Sequence, residues 1–260
     1  MREIILGGVR VNLMYEHEVL GEIASYLKGG TRTDGRPLAI ASANLDHVHH
    51  FGQNGASADV IDSDSESVNW RVLLDGAPLV WRAKQLTGVP WPKLSGSDLI
   101  EPILDVVQRE SARVGFLGGQ ASTHERLRER LARTHPDLVI AGTWAPERDA
   151  LADDAANRQL ATEVRDTGCD LLVVGLGKPR QERWIERYGV QTGARVLLAF
   201  GAAADFLAGV VERAPNWARE NGLEWAYRLY HEPRRLARRY VVEGPGAASM
   251  LLRHSRVGTS

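Results

Sequence analysis

The chain has 260 residues, 43% of them hydrophobic and 25% charged, with a formal net charge of −1. That is the balance of a folded globular protein; apolar content is too high and net charge too low for disorder as the main state. The single cysteine, Cys169, excludes a disulfide framework and a cysteine-based zinc site.

In chain order, Arg2–Leu6 and Val9–Leu13 flank Gly7-Gly8, a two-residue hairpin signal. Helical spacing over Glu16–Lys28 puts Val19, Leu20, Ile23 and Leu27 on one stripe. Pro37–Ala41 predicts a strand, Leu45–Gly52 a helix, Trp70–Leu74 a strand and Pro78–Thr87 a helix. A further helix opens at Gly96-Ser97-Asp98, with Ser97 the expected N-cap, and runs to about Glu110. One theme then repeats: strand Arg113–Leu117 and helix Ser122–Thr134; strand Leu138–Ala141 and helix Asp153–Thr167; strand Asp170–Val174 and a helix to Tyr188; strand Arg195–Phe200 and a short helix. Strands that are apolar throughout, alternating with helices, imply a mostly parallel sheet covered on both faces, a Rossmann-like three-layer α/β sandwich. Residues 1–215 are expected to form this domain. Residues 216–260 show no further strand signal and predict a helical appendage rich in aromatics and arginine. No apolar run approaches the ~20 residues of a membrane span. Glycines at positions 7 and 8 interrupt the start before a signal region forms, so the expected location is cytoplasmic.

In such sheets chemistry gathers beyond the carboxyl ends of the strands. The residues there are Ser42 and Asn44, Asp75-Gly76, Gly118-Gly119, Gly175 to Glu182, and Gly201 to Asp205. Glycines let the backbone approach a ligand, and the helix N-termini behind them offer N–H groups to phosphate. Gly118-Gly119 is equally consistent with a tight turn. Asp75 ends an apolar strand, where a carboxylate serves either as a helix cap before Pro78 or as a general base. Pro179 suits a first helical turn, which carries Arg180, Gln181 and Glu182. Gln181 could bond a sugar hydroxyl, and Glu182 could complement the helix dipole. Arg213, just before Pro215, suits a phosphate. Asp62-Ser63-Asp64 matches a metal-binding pattern but sits in a serine-rich acidic run ahead of a strand, and reads as a solvated loop. His47, His49 and His50 include no well-spaced ligand set. From Arg219 onward eight Arg stand against four Glu, a basic tail on an acidic body. That tail is either a solvated helix face or a surface for anions.

Taken in order, these marks resemble the WecG/TagA/CpsF family of glycosyltransferases. They are Ser42-Ala43-Asn44, Leu74-Asp75-Gly76, Gly96-Ser97-Asp98-Leu99, Phe116-Leu117-Gly118-Gly119, and Gly175-Leu176-Gly177-Lys178-Pro179-Arg180-Gln181-Glu182. Gly201 with Asp205-Phe206 and Gly209, Arg213-Ala214-Pro215 with Trp217, Leu223-Glu224-Trp225, Tyr227-Arg228-Leu229, Pro233-Arg234-Arg235 and Arg238-Arg239-Tyr240 continue the series. The resemblance implies an inverting transfer, without a bound metal or cofactor, from a UDP-sugar to a polyprenyl-diphosphate-linked sugar in wall-polymer or surface-polysaccharide synthesis. It implies Asp75 as the base. Ser42 stands where Thr is usual, Leu74 where Pro is, Arg180 where Lys is, and Thr143-Trp144 where Tyr-Phe is expected. On this reading Ser42 and Asn44 orient the acceptor or Asp75, and Gln181 holds the donor sugar. Arg213 or tail arginines stabilise the departing UDP. Arg228, Arg234, Arg235 and Arg238 meet either the acceptor diphosphate or anionic lipid, as a peripheral protein of the inner membrane face. A homo-oligomer is compatible and no nucleic acid is expected. The rival readings are an NAD-binding oxidoreductase, which lacks its Gly-x-Gly-x-x-Gly fingerprint here, and a non-enzymatic anion-binding module.

Overall fold

The computed structural model describes residues 2–29, 35–61, 65–210, 215, 224–231 and 242–258. Its strands are β1 (Glu3–Leu6), β2 (Val9–Asn12), β3 (Leu38–Ala43), β4 (Asn69–Leu74), β5 (Arg113–Gly118), β6 (Val139–Trp144), β7 (Leu171–Gly175), β8 (Val196–Ala199) and β9 (Arg256–Val257). They form one sheet in the order β6-β5-β7-β8-β3-β4-β2-β1-β9. From β6 to β2 every neighbouring pair runs parallel; β1 is antiparallel to both β2 and β9. The hairpin at Gly7-Gly8 forms as expected, both glycines having positive φ.

The helices are α1 (Glu16–Leu27), α2 (Leu45–Phe51), α3 (Ala77–Thr87), α4 (Gly96–Arg109), α5 (Ala121–Thr134), α6 (Asp154–Asp166), α7 (Arg180–Tyr188), α8 (Ala203–Leu207), α9 (Glu224–His231) and α10 (Gly244–Arg253). Apolar residues of α1, α4, α5 and α8 pack with Leu38, Ile40 and Leu73 on one face of the sheet. Those of α2, α3, α6, α7 and α10 pack on the other face, against alternate strand residues such as Ala41, Ala43 and Val72. This is the three-layer sandwich. In α4 the apolar stripe Leu99, Ile100, Ile103, Leu104 and Val107 is wholly buried, and each such side chain contributes about 1.5–3 kcal/mol. The N-cap of α4 is Ser95, not Ser97: Ser95 Oγ accepts from Asp98 N at 3.2 Å. Position 95 stands three residues before Asp98, the spacing a capping hydroxyl needs; Ser97 already lies inside the helix.

The C-terminal segment differs from a tail without strands. Ala247 and Leu251 of α10 are buried against α2 and α3, and β9 adds a ninth strand beside β1. A two-residue strand is too short to show alternation, so no periodicity announces it. Among the described residues no helix is long and apolar enough to cross a membrane.

Candidate active site

Because seven consecutive strands of the sheet are parallel, the ends of β3, β4, β5, β7 and β8 open on one edge. The loops that leave them meet there. Gly118 pairs with Gly175 in register across β5 and β7. A Cβ on Gly118 would stand 2.5 Å from Gly175 O, and one on Gly175 would stand 3.3 Å from Gly201 O. The three glycines therefore form a row in which backbone lies close to backbone; at Gly118 only the absence of a side chain permits the approach, and at Gly175 a Cβ would be tight. Gly118 also has a φ of +100°. Its carbonyl meets His124 Nε2 at 2.7 Å, which anchors α5 under the loop. Gly119 and Gly201 are exposed at the rim, as is Gly177.

Asp75 sits at the end of β4, half-buried. Its backbone N–H donates to Ala43 O at 2.9 Å, which continues the β3–β4 ladder past the strand. The carboxylate does not cap α3. Its Oδ1 accepts the Gly76 N–H at 2.7 Å and its Oδ2 accepts from Asn44 Nδ2 at 3.3 Å. A carboxylate that receives two N–H donors is held in one orientation. Gly76 has a φ of +79°, and a Cβ there would press Asn44 Cβ at 3.3 Å. Asn44 is the N-cap of α2, its Oδ1 accepting from His47 N at 3.2 Å. The group of Ser42 engaged here is its carbonyl, which accepts from Lys178 Nζ at 2.7 Å.

The Gly175–Glu182 segment turns into α7 through a cis Lys178–Pro179 peptide, with Pro179 at the N-cap and Arg180 exposed. Gln181 and Glu182 point inward, not into the mouth. Gln181 is 1% exposed. Its Nε2 donates to Ala199 O at 2.8 Å and Glu182 Oε1 at 3.0 Å, and its Oε1 accepts the Gly177 N–H at 3.1 Å. It thereby stitches the β7 loop to the end of β8. Glu182 is wholly buried, and Oε2 has no hydrogen-bond partner among the described residues. Burial pushes its carboxyl up to about 7, against the pull of the Lys178 ammonium. His47 is wholly buried too, both ring nitrogens without a hydrogen bond among the described residues. Burial, and then the Lys178 and His50 charges, hold it well below the usual histidine range, so it is neutral. Asp205, in α8, accepts from Thr123 Oγ1 at 3.4 Å.

The structure thus gathers Ser42, Asn44, Asp75, Gly118, Gly119, Gly175, Gly177, Pro179, Arg180, Gln181, Glu182, Gly201 and Asp205 along one edge. Arg213, Arg234, Arg235 and Arg238 lie outside the described residues, as do Asp62 and Asp64 and the side chain of Arg228. Among the described residues no cluster of three or more His, Cys, Asp or Glu is placed to hold a metal ion. Sequence reasoning placed Lys178 in the Gly175 to Glu182 segment without giving it a role, and missed His124. His124 shares the α5 stripe with Leu127 and Leu131, which gave it away only as core. Lys178 carries no local signal, since its reach depends on which strands are neighbours.

A parallel Rossmann-like sheet with glycine-lined loops and an oriented carboxylate at its carboxyl edge defines an α/β enzyme that works on a ligand bound across its strand ends. The particular chemistry comes from kinship. The sequence model of the Glycosyl transferase WecG/TagA/CpsF family matches residues 4–259, and the chain belongs to that family. Among similar proteins, one from Bacillus spizizenii is 30% identical over 71% of this chain and 69% of its own length. One from Bacillus subtilis is 26% identical over 64% of this chain and 63% of its own length. One from Staphylococcus aureus is 23% identical over 77% and 75% respectively. All three are described as N-acetylglucosaminyldiphosphoundecaprenol N-acetyl-beta-D-mannosaminyltransferase.

Proposed function

We propose that this glycosyltransferase moves an N-acetylhexosamine from a UDP-sugar to an N-acetylglucosamine carried on a polyprenyl diphosphate, with inversion. The observation that carries the reading is Asp75: a half-buried carboxylate at a strand end, oriented by Gly76 and Asn44 on the same edge of the sheet as the glycine row. Asp75 takes the proton of the acceptor hydroxyl as that oxygen attacks the anomeric carbon. The bond to UDP breaks on the opposite side, and the loop N–H groups around Gly118 and Gly119 receive the diphosphate charge. Arg213 and the tail arginines add to that stabilisation. Mixing the full chain with UDP-N-acetylmannosamine and a polyprenyl-diphosphate-linked N-acetylglucosamine should release UDP and give a β-linked disaccharide lipid. No UDP release with that donor, nor with other UDP-N-acetylhexosamines, would remove the reading.

An acceptor of this kind is embedded in a membrane, so the enzyme must reach the surface. Arg228, Arg234, Arg235 and Arg238 supply the basic charge, in a segment that also carries Trp225, Tyr227 and Tyr230. Each basic residue near an anionic surface contributes about 1 kcal/mol, roughly a fivefold change in partitioning. Flotation with phosphatidylglycerol vesicles should therefore recover the full-length Arg235→Ala variant about fivefold less readily than the parent. Equal recovery would assign these arginines elsewhere.

A further inference from the structure

Lys178 leaves the β7 loop, passes the end of β8 and reaches β3, the next strand but one in the sheet. Its ammonium donates to Ser42 O at 2.7 Å and, at a longer 3.5 Å, to Asn44 Oδ1. Asn44 then has two unlike ends. Its oxygen faces two donors, Lys178 Nζ and the His47 N–H. Its nitrogen faces an acceptor, Asp75 Oδ2. An amide turned by 180° would set its NH2 group against an ammonium and a backbone N–H, and its oxygen against a carboxylate. Every contact would then be donor on donor or acceptor on acceptor. The ammonium also favours the charge of Glu182, a wholly buried carboxyl. Lys178 thus ties the β7 loop to the end of β3.

We propose that Lys178 is a positioning residue for the transfer reaction: it fixes the side-chain amide of Asn44 so that Nδ2 donates to Asp75. The inference rests on the reading of Asp75 as the base. With Gly76 holding Oδ1 and Asn44 holding Oδ2, the carboxylate keeps one plane at the carboxyl edge of the sheet. Without Lys178, the amide is selected only by the His47 N–H and by the Asp75 carboxylate itself. The bond to Oδ2 is then held less firmly, and the base loses part of its aim. Misplacement of this size in a reacting group costs between about 10- and 100-fold in rate.

The test is a double-mutant cycle on the full-length chain: parent, Lys178→Met, Asn44→Ala, and the two together. Each single variant should lower kcat between about 10- and 100-fold, with KM for the UDP-sugar kept within about threefold. If Lys178 acts through Asn44, the double variant should be no slower than the slower single one, within about twofold. Multiplicative losses, an unchanged kcat in Lys178→Met, or a loss confined to KM would overturn the proposal. Should Lys178→Met lose its cooperative unfolding transition, Lys178→Gln takes its place in the same cycle. A second readout needs no turnover. The Asn44 side-chain amide signal in a 1H–15N spectrum, identified by its disappearance in Asn44→Ala, should shift or split in the Lys178 variant. An unmoved signal refutes the contact. A parent chain without activity on any donor would instead refute the transfer reading, while the amide signal still reports on Lys178.

Discussion

Asp75→Asn should lower kcat by about 10²- to 10⁴-fold, the usual worth of a positioned general base, while UDP affinity stays within about twofold. The substitution is nearly isosteric and spares the fold. β4 is held by its ladder to β3 and by buried neighbours, and the new amide oxygen still accepts the Gly76 N–H. What changes is the second end of the side chain. Its NH2 group would face Asn44 Nδ2, donor to donor, and offers nothing that can take a proton. The diphosphate groups of the donor are expected at the glycine row rather than at Asp75, so binding of UDP is a fair control. UDP release under saturating donor and acceptor measures kcat, and UDP titration by calorimetry measures the control. Turnover within about threefold of the parent would leave the site without its base. A parallel loss of UDP affinity would mean that Asp75 acts on the donor instead.

Much of this site was legible because local chemistry and global topology agree. A parallel sheet with apolar strands forces the post-strand residues to one edge, so glycines at 118, 175 and 201 could be assigned to one place without knowing the strand order. Their mutual contact could not, since β5, β7 and β8 become neighbours only through crossovers. The same limit hid the role of Lys178, whose partners lie 134 and 136 residues away in the chain. Gln181 illustrates the opposite difficulty. A glutamine in the first turn of a helix behind a glycine loop invites a role in the mouth of the site. Its actual direction is set by bonds to two backbone groups, Gly177 N–H and Ala199 O, which it joins from within. Asn44 was readable as a post-strand polar residue; its second role, the N-cap of α2, came from the structure. It uses its oxygen for the cap and its nitrogen for Asp75, so the two roles are one orientation. The β9 strand was not readable at all, because two residues carry no period.

Glu182→Gln should change how stability depends on pH by about 3 kcal/mol, given a carboxyl moved from an ordinary 4.5 to about 7. Burial causes the shift; the Lys178 charge and bonds from the backbone and Gln181 oppose it, and Asp46 adds to it. Below about pH 4.5 the group is protonated whether the chain is folded or not, and contributes no slope. Between 4.5 and 7 the unfolded chain ionises while the folded chain keeps its proton. The native state then binds more protons, and stability falls as pH rises. Above 7 both states are ionised and the loss is complete. His47 works in the opposite sense. Its folded affinity for protons is depressed, so below the ordinary 6.5 only the unfolded chain takes one up, and stability rises with pH through that range. His50 and His124, each lowered chiefly by burial, slope the same way. In the parent these trends partly cancel. Glu182→Gln removes the falling one and should expose a rise toward pH 7. The informative quantity is therefore the difference between parent and variant unfolding free energies in urea, followed from pH 4.5 to 8. It should decline by about 3 kcal/mol across that window and then level off. A difference constant with pH would show that Glu182 is already ionised in the fold, compensated by Lys178. The buried edge beneath Asp75 would then hold a closed ion pair rather than a carboxyl that gains its charge near neutrality.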